Sequence, residues 1–173
     1  MQFNNRPNQH FVITTDDGSS QSIWVSRSVA VLAIPFFTYN YKIWVPLGKR
    51  SASCPTEVGK YGLPAGYLDW DESASEAMIR EVWEELGLNL QKFGELGEPS
   101  YGSIEQPYYV FSDPKGDASQ NVTLRFKVMF HVDTLPEFKP SIEVEEAKWF
   151  LVEDAINMDL AFNHAEILKE LYV

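Results

Sequence analysis

The segment from Ser73 to Gly87 constrains the fold most, because it predicts one amphipathic helix with both ends marked in the sequence. Ser73 and Glu76 have the spacing of a capping box, in which each side chain binds the other residue's backbone N–H. Gly87 suits the left-handed conformation that ends many helices. At about 100° per residue, five apolar residues form one broad face that we expect to be buried: Met78, Ile79, Val82, Trp83 and Leu86. A second layer of structure must cover that face.

The remaining segments predict mainly strands, which would supply that layer. The strand-like segments are residues 11–15, 22–27, 28–37, 41–46, 108–112, 122–132 and 143–151. Residues 48–66 are rich in Gly and Pro and are interpreted as an ordered loop, and a second capping box at Asn163 predicts a C-terminal helix. We therefore predict a single α/β domain over residues 1–173, built as an α/β/α sandwich with a mixed sheet. Residues 1–25 are expected to form an N-terminal β-hairpin extension.

The composition excludes several classes of protein. Cys54 is the only cysteine, so an intrachain disulfide scaffold is excluded. The longest apolar run has nine residues, whereas a membrane-spanning helix needs about 20. The chain carries 14 Lys and Arg against 25 Asp and Glu, and this net charge of −11 opposes binding to a phosphate backbone. We expect a cytoplasmic protein that binds neither nucleic acid nor a membrane; the composition leaves a homodimer open.

The negative charge is concentrated in two segments. Residues 66–88 contain seven acids and one base, and residues 137–154 contain six acids and two bases. In the first segment, Glu81, Glu84 and Glu85 project from one face of the predicted helix, where like charges repel unless a cation lies between them. Hard carboxylate oxygens suit Mg²⁺ or Mn²⁺, whereas a chain with three His and one Cys has few ligands for zinc. The alternative interpretation is a solvated acidic helix face.

The same segment resembles the Nudix box of the Nudix hydrolase family. Residues 66–88 read GYLDWDESASEAMIREVWEELGL and match the pattern G-x5-E-x7-R-E-U-x-E-E-x-G-U, with U aliphatic, at every fixed position. The resemblance implies the family's α/β/α sandwich and hydrolysis of a nucleoside diphosphate linked to a further group X. It also implies two or three divalent ions, Mg²⁺ or Mn²⁺, and a small nucleotide as the substrate.

The resemblance also implies a role for individual residues of the box. Glu81, Glu84 and Glu85 would be catalytic metal ligands, assisted by the backbone carbonyl of Ala65. Three other positions would be structural. An ion pair between Glu72 and Arg80 would join the loop to the helix. Gly66 would allow either a close approach of the backbone or unusual dihedral angles, and Gly87 would end the helix.

The carboxylate that accepts a proton from the attacking water varies within the family, so two alternatives stay open. The first is Glu81 itself. The second is an acid of the late segment EVEEAKWF, residues 143–150, in which Glu146 occupies the position that resembles the family's late glutamate. Glu143 and Glu145 are alternatives to Glu146.

Substrate contacts are predicted from residue type. Arg50 could bind a phosphate, and tyrosines such as Tyr101 and Tyr108 could stack on a base. Tyr109, Phe111 and Trp70 are further stacking candidates. No motif identifies the group X. The alternative function is a non-catalytic Nudix domain that senses a nucleotide ligand or mediates contacts; against it, every glutamate of the box is present.

Overall fold

The structure is a computed structural model that describes residues 8–94, 98–114, 121–139 and 143–172. Its strands are β1 (Gln9–Thr14), β2 (Ser20–Val25), β3 (Val29–Tyr39), β4 (Lys42–Arg50), β5 (Tyr61–Gly62), β6 (Ala65–Tyr67), β7 (Tyr101–Gly102), β8 (Tyr109–Phe111), β9 (Val122–His131) and β10 (Val144–Leu151). Its helices are α1 (Ala74–Leu86), α2 (Val152–Ala155) and α3 (His164–Tyr172), with 3₁₀ turns at Leu90–Lys92 and Ala161–Asn163. Within these ranges, none of the α-helices has the length and apolar character needed to cross a bilayer.

One mixed sheet forms the centre of the fold. Its strand order is β10-β4-β3-β9-β7, with β5 paired to β4, β6 to β3 and β8 to β9. Strands β3 and β9 are parallel, whereas the other pairs of this sheet are antiparallel.

The central strand β3 is buried on both faces because its side chains alternate between two cores. Val31 and Ala33 belong to the core that includes α1, whereas Leu32 and Ile34 belong to the core that includes α3. This arrangement explains why residues 28–37 are almost wholly apolar. Helices therefore cover both faces of the sheet, and the predicted α/β/α sandwich with a mixed sheet is confirmed.

The helix α1 has the ends that its sequence predicts. The hydroxyl of Ser73 accepts a hydrogen bond from the N–H of Glu76 at 3.2 Å, and Glu76 Oε2 accepts one from the N–H of Ser73 at 2.8 Å. Gly87 has φ +70°, and its N–H donates to the carbonyl of Trp83. The prediction that Trp83 is buried is wrong, since 53% of its surface is exposed. The buried strip of α1 includes Val82 and Glu81 and lies on the side of Val82 that is opposite to Trp83.

Two other predictions are corrected by the backbone of the structure, one by strand pairing and one by a dihedral angle. The segment predicted as a loop contains β5 and the start of β6, which pair with β4 and β3, and β4 itself continues to Arg50. These strands are too short for a sequence period to indicate. Asn163 has φ +60° and closes a 3₁₀ turn, so it lacks the extended backbone usual for an N-cap residue.

Strands β1 and β2 form a separate two-stranded antiparallel sheet at the N-terminal end of the described chain. Their large apolar side chains are exposed to solvent: Phe11, Val12, Ile13, Ile23 and Val25. An isolated two-stranded hairpin is marginally stable in water.

Candidate active site

Of the three box glutamates of α1, Glu81 and Glu85 contact the short strand β6. Glu81 is only 8% exposed. A Cβ atom at residue 66 would lie 2.0 Å from Glu81 Oε1, so only glycine leaves room for this carboxylate. The backbone of β6 thus fixes the depth at which Glu81 lies.

Arg80 ties the loop before the helix to the glutamates. Its Nε and Nη2 donate to the two carboxylate oxygens of Glu72 at 3.0 and 2.8 Å, and Nη2 also donates to the carbonyl of Tyr67. Its Nη1 donates to Glu81 Oε1 at 2.7 Å and to Glu84 Oε2 at 3.0 Å. Such a bidentate guanidinium contact fixes orientation as well as charge. The same contact lowers the pKa of Glu72.

Glu85 differs from its two neighbours because it forms no ion pair with the described residues. The N–H of Ala65 donates to Glu85 Oε1 at 3.3 Å. Burial raises the pKa of Glu85 to about 8; the bond from Ala65 opposes this shift, and the charge of Glu81 adds to it. Burial also raises the pKa of Glu81, against the contacts from Arg80. Two carboxylates with raised pKa values at one place would be stabilised by a cation.

A recess of about 40 Å³ lies beside Glu85. Its lining includes Arg50, Ala65, Glu85, Glu143, Phe162 and His164. This volume admits an ion and a few waters, since one water needs about 10–15 Å³. A nucleotide is much larger, so its body would have to lie across the mouth of the recess.

Arg50 and His164 are held in fixed orientations on the wall of this recess. Arg50 Nε donates to the carbonyl of Thr56 at 3.0 Å, and the guanidinium lies 4.8 Å from the centre of the Phe162 ring. His164 Nδ1 accepts a hydrogen bond from the N–H of Leu63 at 2.9 Å. Burial, together with the charges of Arg125 and Arg50, lowers the pKa of His164 to about 3, so the ring is neutral.

The late acidic segment places two of its candidates in different surroundings. Glu143 lines the recess, and its charge contributes to the raised pKa values of Glu81 and Glu85. Glu146 instead accepts a hydrogen bond from the hydroxyl of Tyr61 at 2.5 Å and pairs with Lys148 at 2.7 Å. A register shift between Val144 and Glu146 separates the two acids. This bulge was not evident in the sequence, and it favours Glu143 over Glu146 as the late carboxylate of the site.

The residues of the site fit a hard divalent cation by their chemistry. Glu81, Glu84 and Glu85 and the carbonyl of Ala65 offer oxygen ligands, and buried carboxylates with raised pKa values favour a bound cation. The described side chains do not form a preassembled group of three metal-binding residues. Arg80 holds Glu81 and Glu84 through ion pairs, so these carboxylates would turn from Arg80 to bind a metal.

None of the aromatic stacking candidates lines the recess. Tyr101, Tyr108 and Tyr109 are on or next to the edge strands β7 and β8, and each is at least 40% exposed. Trp70 is almost fully exposed on the loop before α1. Arg125 and Lys127 are not among the candidates predicted from the sequence, although the alternation of charged and apolar residues in β9 places both on one face of the strand.

A comparison with known families decides where the chain belongs. The family model described as NUDIX domain matches residues 26–171, most of the chain. The protein belongs to the Nudix family. The match to the Nudix box is thus part of a resemblance that extends over the whole sandwich and begins after the N-terminal hairpin.

Similar Nudix proteins include one curated relative and several solved structures. The ADP-ribose pyrophosphatase of Methanocaldococcus jannaschii is 31% identical over 114 residues, which is 65% of this chain and 57% of the relative. The NUDIX domain of Shewanella oneidensis NrtR, complexed with ADP ribose, has a TM-score of 0.68 and 22% identity over 86% of this chain and 88% of its own.

A third structure is a bifunctional NMN adenylyltransferase/ADP ribose pyrophosphatase from Francisella tularensis, complexed with AMP and a Mn ion. Its TM-score is 0.64, with 22% identity over 85% of this chain and 41% of that protein. At this level of identity the two structures establish the Nudix fold of the chain.

Proposed function

We propose that this protein hydrolyses the pyrophosphate linkage of a nucleoside diphosphate joined to a further group, with ADP-ribose as the first compound to test. The observation that carries the proposal is the complete box in its folded form. Three glutamates share one face of α1, and Glu81 and Glu85 contact the strand that contains Ala65 and Gly66. The curated relative is an ADP-ribose pyrophosphatase, which supports this choice of substrate.

Each residue of the site would have a distinct part in the reaction. Glu81, Glu84, Glu85 and the carbonyl of Ala65 would hold Mg²⁺ or Mn²⁺. When bound, such an ion polarises phosphorus–oxygen bonds and lowers the pKa of water. Arg80 would keep the glutamates in register, and Arg50, fixed on Phe162, would bind a phosphate oxygen at the edge of the recess.

The chemical step is attack of water on one phosphorus of the linkage. A carboxylate accepts one proton of the water, a new phosphorus–oxygen bond forms, and the bridging oxygen leaves with the other phosphate. For ADP-ribose the products would be AMP and ribose 5-phosphate. Glu143 and Glu81 are the two candidates for the proton acceptor, because both belong to the cluster around Glu85.

The proposal is tested with a panel of nucleoside diphosphate compounds, incubated with Mg²⁺ or Mn²⁺ and analysed by phosphorus NMR. We expect turnover of at least one compound. Glu85→Gln should reduce kcat at least 100-fold, whereas the matched variant Glu166→Gln on the exposed face of α3 should keep full activity. Full activity of Glu85→Gln, or no turnover of any compound by the folded, metal-loaded protein, would overturn the proposal.

Removal of the metal gives an independent test. EDTA should abolish turnover, and addition of Mg²⁺ or Mn²⁺ in excess should restore it. Binding of Mn²⁺, followed by electron paramagnetic resonance, should weaken in Glu85→Gln and stay unchanged in Glu166→Gln. Turnover that survives EDTA would contradict a metal-dependent reaction.

A second candidate function is a sensor that binds a nucleotide without cleaving it. The similarity to the NUDIX domain of NrtR, which was crystallised with ADP ribose, favours this alternative. Calorimetry with ADP-ribose, together with the turnover assay, separates the two functions. Tight binding with no products would favour the sensor, and release of AMP would favour the hydrolase.

For the organisation of the protein, we propose one Nudix domain with an N-terminal hairpin extension, β1 and β2, that joins two copies of the chain. Of the predicted extension over residues 1–25, residues 1–7 lie outside the described residues. The strands β1 and β2 contain no Asp, Glu, Lys or Arg, yet they expose apolar side chains on a chain of net charge −11. Repulsion between two acidic copies would be weakest at such a surface. Light scattering of the intact protein should give a dimer, and the double variant Phe11→Glu and Ile23→Glu should give a monomer.

A further inference from the structure

Strand β9 presents two cations to a group of aromatic rings at the edge of the sheet. The guanidinium of Arg125 lies 5.2 Å from the ring centre of Tyr109 and 5.1 Å from that of Phe111. The ammonium of Lys127 lies 4.8 Å from the ring centre of Tyr101 and 5.4 Å from that of Tyr108. We call these six residues the β9 patch.

The hydrogen-bonding capacity of Arg125 is only partly met by the described residues. Its side chain is only 13% exposed, and its Nε is buried without a hydrogen-bond partner among them. Its ion pair with Glu170 is long, at 3.9 Å from Nη1. Leaving a buried donor without an acceptor is unfavourable, so an acceptor supplied by a ligand would be favoured. Lys127, in contrast to Arg125, forms no ion pair within the described chain.

The three tyrosines of the β9 patch are exposed to solvent. Tyr101 is 59% exposed, Tyr108 40% and Tyr109 49%. Exposed aromatic faces can stack on a planar base, as they do in proteins that bind single-stranded nucleic acid. Two cations beside these faces form a positively charged surface on an acidic protein. This combination suits an anion that carries a planar ring.

The sheet places the β9 patch near the candidate active site. Tyr109 pairs with Arg125, Arg125 with Leu32, and Leu32 with Ala65, in one row across β8, β9, β3 and β6. Arg125 is therefore two strand spacings, about 10 Å, from Ala65, whose carbonyl is a candidate metal ligand. His164 interacts electrostatically with a residue of each site, since the charge of Arg125 in the β9 patch and the charge of Arg50 in the recess both lower its pKa.

We propose that the β9 patch is the subsite for the nucleoside monophosphate half of the substrate, with Arg125 and Lys127 on its phosphate or ribose oxygens and the tyrosines on its base. This inference rests on the proposed hydrolase function and restricts the substrates of that function. The preferred substrates would carry a nucleobase at one end, and a phosphosugar diphosphate without a base would be a poor substrate.

The subsite is tested in the absence of metal and of turnover, with AMP as the probe. Calorimetry in EDTA should show that AMP binds at least tenfold more tightly than ribose 5-phosphate. Arg125→Gln should weaken AMP binding at least tenfold, Lys127→Gln about fivefold, and Arg125→Lys less than Arg125→Gln. Lys42→Gln, an exposed change at the start of β4, should leave the affinity unchanged. Circular dichroism checks that each variant is folded.

The outcomes separate this subsite from the hydrolase proposal. Loss of AMP affinity in both Arg125→Gln and Lys127→Gln supports the subsite even if no compound is hydrolysed. Wild-type affinity for AMP in both folded variants, Arg125→Gln and Lys127→Gln, overturns the subsite. A loss of affinity caused only by Arg50→Gln also overturns it. In either case, normal turnover by Arg125→Gln and Lys127→Gln would leave the hydrolase function intact. For an active enzyme, Arg125→Gln should raise KM for ADP-ribose at least tenfold with a smaller change in kcat.

Discussion

Gly66 and Glu81 compete for the same space, because a Cβ atom at residue 66 would lie 2.0 Å from Oε1 of Glu81 and 2.3 Å from its carboxyl carbon. The backbone of Gly66 does not have a positive φ, so the requirement for glycine here is steric. Glu81 is also held by Arg80 and is almost buried, so it has little freedom to move aside. The position of this carboxylate therefore depends on the absence of a side chain on the neighbouring strand.

We predict that Gly66→Ala lowers kcat at least tenfold and weakens Mn²⁺ binding, because the methyl group displaces Glu81. Gly59→Ala is the control, since a Cβ there would meet no atom within 4 Å, although its φ of +80° adds backbone strain. Steady-state kinetics and Mn²⁺ titration of both variants check the prediction. Equal activity of Gly66→Ala and wild type would contradict it.

The two late acids provide a second prediction. Glu143 lines the recess beside Glu85, whereas Glu146 is engaged by Tyr61 and Lys148. We expect Glu143→Gln to reduce kcat at least tenfold and Glu146→Gln to change it less than threefold. Each variant serves as the control for the other, because both remove one charge from the same segment. A greater loss in Glu146→Gln would show that the bulge does not exclude Glu146 from the reaction.

Arg80→Lys tests whether the geometry of the guanidinium matters beyond its charge. Arg80 donates to Glu72, Glu81, Glu84 and the carbonyl of Tyr67, and a lysine cannot reproduce the bidentate contact. We expect a loss of about 1–3 kcal/mol in the free energy of unfolding, measured in urea, together with reduced activity. Lys169→Arg is the control, since its pair with Glu166 is exposed and should contribute less than about 1 kcal/mol.

The sequence was sufficient to predict the elements whose signals are local. The capping box at Ser73, the closing glycine at Gly87 and the doubly buried strand β3 all follow from short-range patterns, and the structure contains each of them. The prediction that Trp83 is buried is wrong because an apolar residue can fit the helical period of about 3.6 residues and still have no neighbouring element to cover it. Strand β6 was missed because three residues carry no detectable period.

The site depends on contacts that no local pattern contains. Glu143 reaches the recess only because a bulge changes the register of β10 against β4. The recess itself is built from segments as distant as Leu63 and His164, which meet through one hydrogen bond. Similarly, no local sequence pattern shows that Arg125 Nε is buried without a partner among the described residues. Such features depend on tertiary packing, whereas the box of glutamates is written in 23 consecutive residues.

That hydrogen bond also predicts how stability depends on pH. His164 must be neutral to accept the N–H of Leu63 at Nδ1, and burial lowers its pKa to about 3 from the ordinary value of 6.5. Below pH 6.5 the unfolded chain binds a proton at this residue, whereas the folded protein does not until about pH 3. Because the unfolded state then binds more protons, stability falls as the pH decreases through this window.

We therefore expect the free energy of unfolding to fall by about 2 kcal/mol from pH 7 to pH 5 because of His164. His164→Gln keeps an acceptor for Leu63 but cannot take up a proton, so its stability should fall less over the same range. Urea unfolding at pH 7, 6 and 5 measures the difference, and His131→Gln, which changes an exposed imidazole, is the control. The comparison between variants isolates this residue from the carboxylates that titrate in the same window. If wild type and His164→Gln lose stability in parallel, the buried imidazole is not the source of the acid sensitivity.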